Sequence, residues 1–275
     1  MKPTVVLYHN DCPDGFGAAW AAWKKFGSRA AYLPAFHQQL PDPAIKNREV
    51  YLVDFAYFGD ELKRFVARNT SVVILDHHIS AKPHVKLATE HRYADNHSGA
   101  VLAWQYFHPG KKVPLLLRYI EDTDLWKFKL AHAKEFSAAI QQVPYTFAAY
   151  EKLAKEFETA SGRKALLAIG AIVLAYEDAQ IKKLIALAEE AVFEGRRAGV
   201  VNSPLFQSQI GHALYDGGYP VAIVWSKQNG HIRVSLRSSG TVDVSKLAEK
   251  YGGGGHKAAA GFKLSGDKKL PWRYT

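Results

Sequence analysis

Acidic and histidine side chains follow three apolar segments in the first third of the chain. They are His9, Asp11 and Asp14 after the first segment, Asp54 after the second, and Asp76, His77 and His78 after the third. Carboxylates mixed with imidazoles suit a divalent ion such as Mn²⁺, with Mg²⁺, Co²⁺ or Fe²⁺ as alternatives. Several carboxylates in one cavity repel one another unless cations neutralise them, so we expect two ions that share a carboxylate. Such a centre activates water for attack on phosphorus.

The segments before these side chains have the pattern of buried strands. Residues 4–8, 50–53 and 72–75 are short, β-branched and almost continuously apolar, which is typical of parallel strands that are covered on both faces. Helical stretches at residues 15–26 and 59–68 lie between and after them. The alternation predicts a doubly wound, mainly parallel α/β sheet, in which ligands collect beyond the carboxyl ends of the strands.

The rest of the chain changes from a helical to a strand-rich texture. Residues 163–197 contain no proline and predict one long helix or two joined helices. Residues 219–227 and 231–237 are strand-like and flank Asn229-Gly230, a strong hairpin signal. We therefore predict three parts, which are an N-terminal α/β domain over residues 1–160, a helical connector over 161–198, and a smaller α+β domain over 199–275.

A run of four glycines near the C-terminus is the most unusual segment of the sequence. Residues 252–255 are all glycine and His256 follows, so their backbone N–H groups could face an anion. A flexible surface loop is the alternative interpretation. Arg237 and Ser238, at the end of a predicted strand, offer a guanidinium and a hydroxyl that suit a phosphate.

Composition limits the class of protein. The chain has 275 residues, of which 48% are hydrophobic and 23% charged, as in a globular protein. The 36 Lys and Arg exceed the 26 Asp and Glu, and the net charge of +10 favours a polyanionic partner, although a solvated basic surface is the alternative. Cys12 is the only cysteine, which excludes an intrachain disulfide, and we interpret it as a small buried hydrophobe rather than a nucleophile. The longest apolar run, residues 165–176, is too short to cross a bilayer, so we expect a cytoplasmic protein without a membrane partner.

The motifs together resemble the DHH/DHHA1 phosphoesterase family. Asp76-His77-His78 resembles the motif that names the family, and the segments that resemble its DHHA1 signature are residues 234–238, 242–244, 252–256 and 259–262. The family includes RecJ-like exonucleases, nanoRNases that degrade very short RNA, and phosphodiesterases of linear or cyclic dinucleotides. Both signatures occur here in the family's order and extend over nearly the whole chain.

The resemblance implies roles for particular residues. The implied metal ligands are His9, Asp14, Asp54, His77 and Asp122, with Asp54 bridging two ions. His78 would face the scissile phosphate, and Asp76 would orient its neighbours. The implied substrate-binding residues are Arg237, Ser238, Gly253, Gly254, Gly255 and His256.

The first motif departs from the family's pattern. Two aspartates spaced Asp-x-Asp are usual, and this chain has Cys12-Pro13-Asp14 there. Either Asp11 replaces the missing ligand or one ion is bound more weakly. A Cys12 thiolate would instead favour a softer metal.

These observations predict a Mn²⁺-dependent phosphodiesterase, with Mg²⁺ or Co²⁺ as alternative ions, that cleaves short single-stranded RNA or DNA or dinucleotides to mononucleotides. A phosphoanhydride hydrolase acting on pyrophosphate or polyphosphate is the rival enzyme, and a non-catalytic nucleic-acid-binding protein is the rival from another class. Tyr57, Phe58 and Trp126 are candidates for stacking on a base, with core packing as the alternative. The preference among RNA, DNA and cyclic dinucleotides stays open, and so does the oligomeric state, including a homodimer.

Overall fold

Two β-sheets, one in each of two units, organise the chain. The computed structural model describes residues 2–36 and 39–275, and the units are Met1–Leu174 and Ala175–Thr275. The division falls inside one helix, Ala160–Ile185. The fold combines a parallel α/β sheet with a second sheet of mixed direction, which confirms the predicted fold class.

The first sheet is parallel throughout. Its strands are β1 (Thr4–His9), β2 (Ala30–Ala35), β3 (Glu49–Val53), β4 (Ser71–Asp76) and β5 (Glu90–Tyr93). They lie in the order β2-β1-β3-β4-β5, so the three predicted strands are neighbours at the centre. The two edge strands lack β-branched residues, and β2 is only partly buried while β5 is largely exposed.

Helices cover both faces of this sheet. The helices of this unit are α1 (Pro13–Phe26), α2 (Gly59–Ala67), α3 (Gly99–Phe107), α4 (Leu115–Asp124), α5 (Ala133–Ile140) and α6 (Phe147–Phe157), and α7 (Ala160–Ile185) continues from this unit into the second. Because successive strand residues point to opposite faces, Val6 packs with α1, α3 and α4, whereas Val5 packs in a core with α2. This two-sided burial explains the nearly continuous apolar sequence of the central strands.

The predicted helical connector ends earlier than expected. α7 stops at Ile185, and residues 189–202 form a hairpin of β6 (Glu189–Phe193) and β7 (Arg196–Asn202). Glu194 and Gly195 make its turn with φ angles of 49° and 74°. Glutamate and alanine in this stretch are typical of helices, but burial of Ala191 and Phe193 on one strand face determines the outcome.

The second sheet has seven strands. After β6 and β7, the remaining elements are α8 (Gln207–Asp216), β8 (Val221–Gln228), β9 (His231–Arg237), α9 (Val244–Glu249), β10 (Gly254–His256), β11 (Ala259–Ser265) and β12 (Trp272–Tyr274). The strand order is β10-β11-β9-β8-β7-β6-β12. The predicted hairpin at Asn229-Gly230 is present, with positive φ at both residues as a type I′ turn requires. Among the described residues, no helix is both long and apolar enough to cross a membrane.

Candidate metal centre

The carboxyl ends of β1, β3 and β4 bring the candidate side chains together. Asp54 follows β3 directly and is buried, with its N–H donating to Leu75 O at 2.8 Å. Its φ of 55° is in the left-handed region, where a non-glycine residue stores about 1–3 kcal/mol of strain. Strain of this kind persists only where the surrounding structure holds the residue in place. It is concentrated at functional positions.

His77 lies among three carboxylates. Its Nε2 is 3.2 Å from Asp54 Oδ1, and its ring is buried. The same nitrogen is 3.6 Å from Asp124 Oδ2 and 3.7 Å from Asp14 Oδ2. Asp14, His77 and Asp124 thus place one donor atom each within 4.8 Å of one another.

His9 approaches the other oxygen of Asp54. Its Nδ1 is 3.3 Å from Asp54 Oδ2, and His9, Cys12 and Asp54 each contribute one donor atom to a second group within 4.8 Å. Asp11 is exposed, with a φ of 56°, and is in none of the donor groups formed by the described residues. Cys12, and not the predicted Asp11, therefore lies beside Asp54.

Asp76 organises the backbone and ring of its neighbours, the arrangement that the family resemblance implies. Its Oδ1 accepts hydrogen bonds from His77 N at 2.7 Å and His78 N at 3.0 Å, and it lies 2.7 Å from His78 Nδ1. Burial acts against the charged form of both side chains. The His78–Asp76 pair outweighs this effect, so that the pKa of Asp76 is lowered and the pKa of His78 is raised.

Asp14 connects the centre to the start of α3. Its two carboxylate oxygens accept hydrogen bonds from Gly99 N at 2.7 Å and Ala100 N at 3.0 Å, and Ser98 is the N-cap of that helix. A carboxylate at a helix N-terminus is stabilised by the exposed N–H groups and by the helix dipole. The sequence alone gave no sign of this link between Asp14 and α3.

The structure brings Asp124, and not the predicted Asp122, to the centre. The Asp122 carboxylate accepts hydrogen bonds from Lys129 N at 3.1 Å and Leu130 N at 3.0 Å, so both its oxygens hold the loop after α4. Asp124 ends the helix and approaches His77. The family resemblance therefore led to Asp122, which holds the loop, and not to Asp124.

The donor set fits divalent cations. Oδ1 of Asp54 is buried and faces Nε2 of His77 at 3.2 Å. Burial and the neighbouring carboxylates raise the pKa of Asp14 well above its usual range, and burial raises the pKa of Asp124. Burial would also raise the pKa of Asp54, but the nearby imidazoles, led by His77, hold it well below its usual range. Such crowding of carboxylates is relieved when cations are bound.

Metal binding is expected to strengthen as the pH rises. Burial would lower the pKa of His77, but Asp54 and the other carboxylates raise it to about 10, and a metal ligand must be neutral. Below that pH an ion must displace a proton, so the apparent Mn²⁺ affinity should rise about 10-fold per pH unit for each proton displaced. Isothermal titration at pH 6.5, 7.5 and 8.5 in buffers of different ionisation enthalpy measures both the affinity and the protons released.

The same raised pKa has a consequence for the metal-free protein. A raised histidine pKa contributes stability that is present below about pH 6.5 and is lost as the pH rises towards 10. The stability difference between the wild type and His77→Gln should therefore shrink over that range. The exposed His231→Gln is the matched control. A pH-independent metal affinity would contradict the assignment of His77.

Gly99 is needed because Asp54 lies against it. A Cβ built on Gly99 would be 2.4 Å from Asp54 Cβ, closer than such atoms approach. Gly99→Ala should therefore displace Asp54 and weaken Mn²⁺ binding by about 10-fold or more, although alanine favours the helix by about 1 kcal/mol. Equilibrium dialysis and thermal melts check the two effects. Gly217→Ala, where the nearest atom is 3.3 Å away, is the control, and equal affinities in both variants would exclude the role of Gly99.

Arg237, in the second unit, is held by a network of its own. Its Nη1 donates to Ser235 Oγ and Leu236 O at 2.9 Å each, and its Nη2 donates to Ser208 Oγ at 2.7 Å. Burial lowers its pKa to about 10. Ser238 is buried, and its hydroxyl donates to Val242 O and accepts from Gly240 N within a turn.

The glycine run is only partly a loop. Gly254–His256 forms the edge strand β10, paired with β11. The N–H groups of Gly252 and Gly253 donate to Glu249 O and Ala248 O, closing the end of α9, so they are not directed at an anion. A Cβ on Gly253 would be 2.1 Å from Gly261 O, and thus close packing explains this glycine. Gly253, Gly254, Gly255 and His256 are all half-buried.

Comparisons with known proteins agree with this architecture. The protein is 29% identical over 290 residues to an uncharacterized protein, R106, of Acanthamoeba polyphaga mimivirus, covering 96% of this chain and 68% of the other. The structure of a pGpG-specific phosphodiesterase, PggH, from Vibrio cholerae superposes with a TM-score of 0.53 at 16% identity, over 96% of this chain and 94% of that one. RecJ from Thermus thermophilus in complex with Mn²⁺ superposes with a TM-score of 0.55 at 16% identity, over 95% of this chain and 49% of that one.

A parallel sheet followed by a smaller mixed sheet is the fold that this chain shares with these two proteins. Residues 209–271 match the family model of the DHHA1 domain. The second unit therefore contains a DHHA1 domain, and the resemblance of the chain to the DHH/DHHA1 phosphoesterase family is confirmed.

Proposed function

We propose that this protein is a divalent-metal-dependent phosphodiesterase that hydrolyses short oligonucleotides or dinucleotides to nucleoside monophosphates. The observation that carries the proposal is the position of Asp54, whose two oxygens approach His9 on one side and His77 on the other. A carboxylate presented in this way suits two ions that share it. Mn²⁺ is the ion we expect, and the Mn²⁺ complex of RecJ, a protein of the same fold, supports this choice.

The side chains divide the work of the proposed reaction. Asp14, His77 and Asp124 would hold one ion, and His9 would help to hold the other, with Asp54 between them. When bound, the ions lower the pKa of a water molecule and neutralise charge on the phosphoryl oxygens. Asp76 fixes the ring of His78, and we propose that the Nε2 of His78 donates a hydrogen bond to a phosphoryl oxygen.

An exposed aromatic near the centre favours nucleotides over polyphosphate. Tyr57 is buried in the core, and the ring of the more exposed Phe58 is stacked on His84. Trp126 is 42% exposed and lies two residues after Asp124. Its φ of 54° is held by the loop that Asp122 anchors, so the structure maintains strain at a surface tryptophan. We propose that Trp126 stacks on a base of the substrate.

Incubation of the metal-stripped and Mn²⁺-reloaded protein with a substrate panel tests the proposed function. The panel contains dinucleotides, oligonucleotides of increasing length, cyclic dinucleotides, pyrophosphate and tripolyphosphate, and chromatography resolves the products. Mononucleotide release should be fastest from the shortest linear substrates and should cease with a chelator. Preferential cleavage of pyrophosphate or tripolyphosphate would replace this function with the phosphoanhydride alternative, and no cleavage of any substrate would favour a binding protein.

Replacing Trp126 with alanine tests whether its ring stacks on a base of the substrate. Stacking of a base on an aromatic ring contributes about 1–3 kcal/mol, so Trp126→Ala should lower kcat/KM for a dinucleotide by about 10-fold. Hydrolysis of bis-p-nitrophenyl phosphate, which carries no base, should change little. Phe36→Ala, another exposed aromatic of the first unit, is the control. Equal loss on both substrates would show that Trp126 supports the loop and not the base.

A further inference from the structure

The two oxygens of Asp54 are shared by donor sets of different chemical character. On the Oδ1 side are the imidazole of His77 and the carboxylates of Asp14 and Asp124. Hard oxygen donors dominate this set, which suits Mn²⁺ or Mg²⁺. The Asp54 side chain is only 2% exposed, so neither of its oxygens can be compensated by bulk water.

The other donor set contains sulfur. His9 Nδ1 is 3.3 Å from Asp54 Oδ2, and Cys12 Sγ forms a group with donor atoms of these two residues in which all lie within 4.8 Å. Cys12 is the N-cap of α1 in extended conformation, and its side chain makes no capping hydrogen bond. The neighbouring Asp11 is exposed and outside the described donor groups. One nitrogen, one sulfur and one carboxylate oxygen suit Zn²⁺, Co²⁺ or Fe²⁺ better than Mn²⁺ or Mg²⁺.

We propose that Cys12 binds a metal ion as a thiolate together with His9 and Asp54, so that the two ions of the centre differ in kind. A thiolate-tolerant ion binds on the His9 side, and Mn²⁺ or Mg²⁺ binds on the His77 side. As the sulfur–metal bond forms, the S–H bond breaks and its proton passes to solvent, with no change of oxidation state. This inference rests on the proposed function only in that both ions share Asp54.

Cobalt spectroscopy tests the proposal without any substrate. The metal-free protein, kept reduced, is titrated with Co²⁺, and a thiolate ligand produces a charge-transfer band in the near ultraviolet. We expect this band in the wild type and in Asp11→Asn, and its loss in Cys12→Ser and Cys12→Ala. Absence of the band from the wild type, which needs no variant to fold, would overturn the proposal. Persistence of the band in folded Cys12→Ser would do the same.

Equilibrium dialysis with Zn²⁺ and Mn²⁺ gives a second readout. Loss of a supporting residue of a metal ligand already weakens binding by about 10–100-fold, so Cys12→Ser should weaken Zn²⁺ binding by about 10-fold or more. The affinity for Mn²⁺ on the His77 side should change by less than about 3-fold, well below that range. Equal weakening of both ions would contradict a division between the sites.

The metal-binding measurements and the substrate panel can contradict the two proposals separately. A wild-type protein that shows the cobalt band but cleaves nothing in the substrate panel would retain the thiolate site and lose the proposed function. A protein that cleaves dinucleotides without the band would retain the function and lose the thiolate site.

Discussion

Replacing Asp54 with alanine is expected to lower kcat/KM for a dinucleotide by at least about 10³-fold, equivalent to about 4 kcal/mol of transition-state stabilisation. The physical reason is that one carboxylate serves both donor sets, with Oδ2 beside His9 and Oδ1 beside His77. Removal of this carboxylate should therefore weaken the binding of both ions. Steady-state kinetics and metal analysis measure the two losses on the same sample.

The backbone conformation of Asp54 makes a second variant necessary. Its left-handed φ of 55° is tolerated better by asparagine than by alanine, so Asp54→Asn separates loss of charge from backbone strain. Circular dichroism should show that both variants retain the fold. Asp60→Ala removes an exposed carboxylate that pairs with Lys63 and is the matched control. Near-normal turnover by Asp54→Asn would exclude the candidate centre.

Replacing Arg237 with alanine is expected to lower kcat/KM for a dinucleotide by about 10²-fold or more, equivalent to about 2.7 kcal/mol. We propose that Arg237 holds a part of the substrate that does not react, and binding energy from such a part positions the scissile phosphate. The loss should therefore affect kcat as well as KM. Because bis-p-nitrophenyl phosphate lacks these contacts, its slow hydrolysis should change little.

Arg233 provides the control for Arg237. It lies on the same face of β9, four residues earlier, and is exposed. Because Arg237 is anchored by Ser208 and Ser235, a thermal melt must accompany the kinetics to measure the cost of losing this network. Equal losses on both substrates, at unchanged melting temperature, would contradict a role of Arg237 in holding the part of the substrate that does not react.

Burial pattern explains which strands could be predicted from sequence. The strands β1, β3 and β4 are covered on both faces, so their apolar runs are nearly continuous and the three strands could be predicted. The edge strands β2 and β5 lack the β-branched residues of the central strands, and much of their surface faces solvent. The β6–β7 hairpin was missed because its glutamates and alanine suggest a helix, and only the packing of alternate residues opposes that preference.

The site was predictable to the level of segments but not always of residues. Asp122 and Asp124 are two positions apart on a helix, so they point in different directions, and the hydrogen bonds of the following loop decide which one is used there. The choice between Asp11 and Cys12 similarly depends on where α1 begins. Gly99 could not be found from spacing, because its requirement arises from contact with a residue 45 positions earlier.

The hydrogen bonds between Asp14 and the first turn of α3 make two backbone amides sensitive to the state of the centre. Burial and the nearby carboxylates raise the pKa of Asp14 in the metal-free protein, and a protonated carboxyl accepts hydrogen bonds more weakly than a carboxylate does. A cation bound beside Asp14 would oppose this rise in pKa and favour the charged side chain that both amides contact. Amide hydrogen exchange at Gly99 and Ala100 should therefore slow when metal binds, so these amides would act as a natural gauge of metal loading in protein that carries no label.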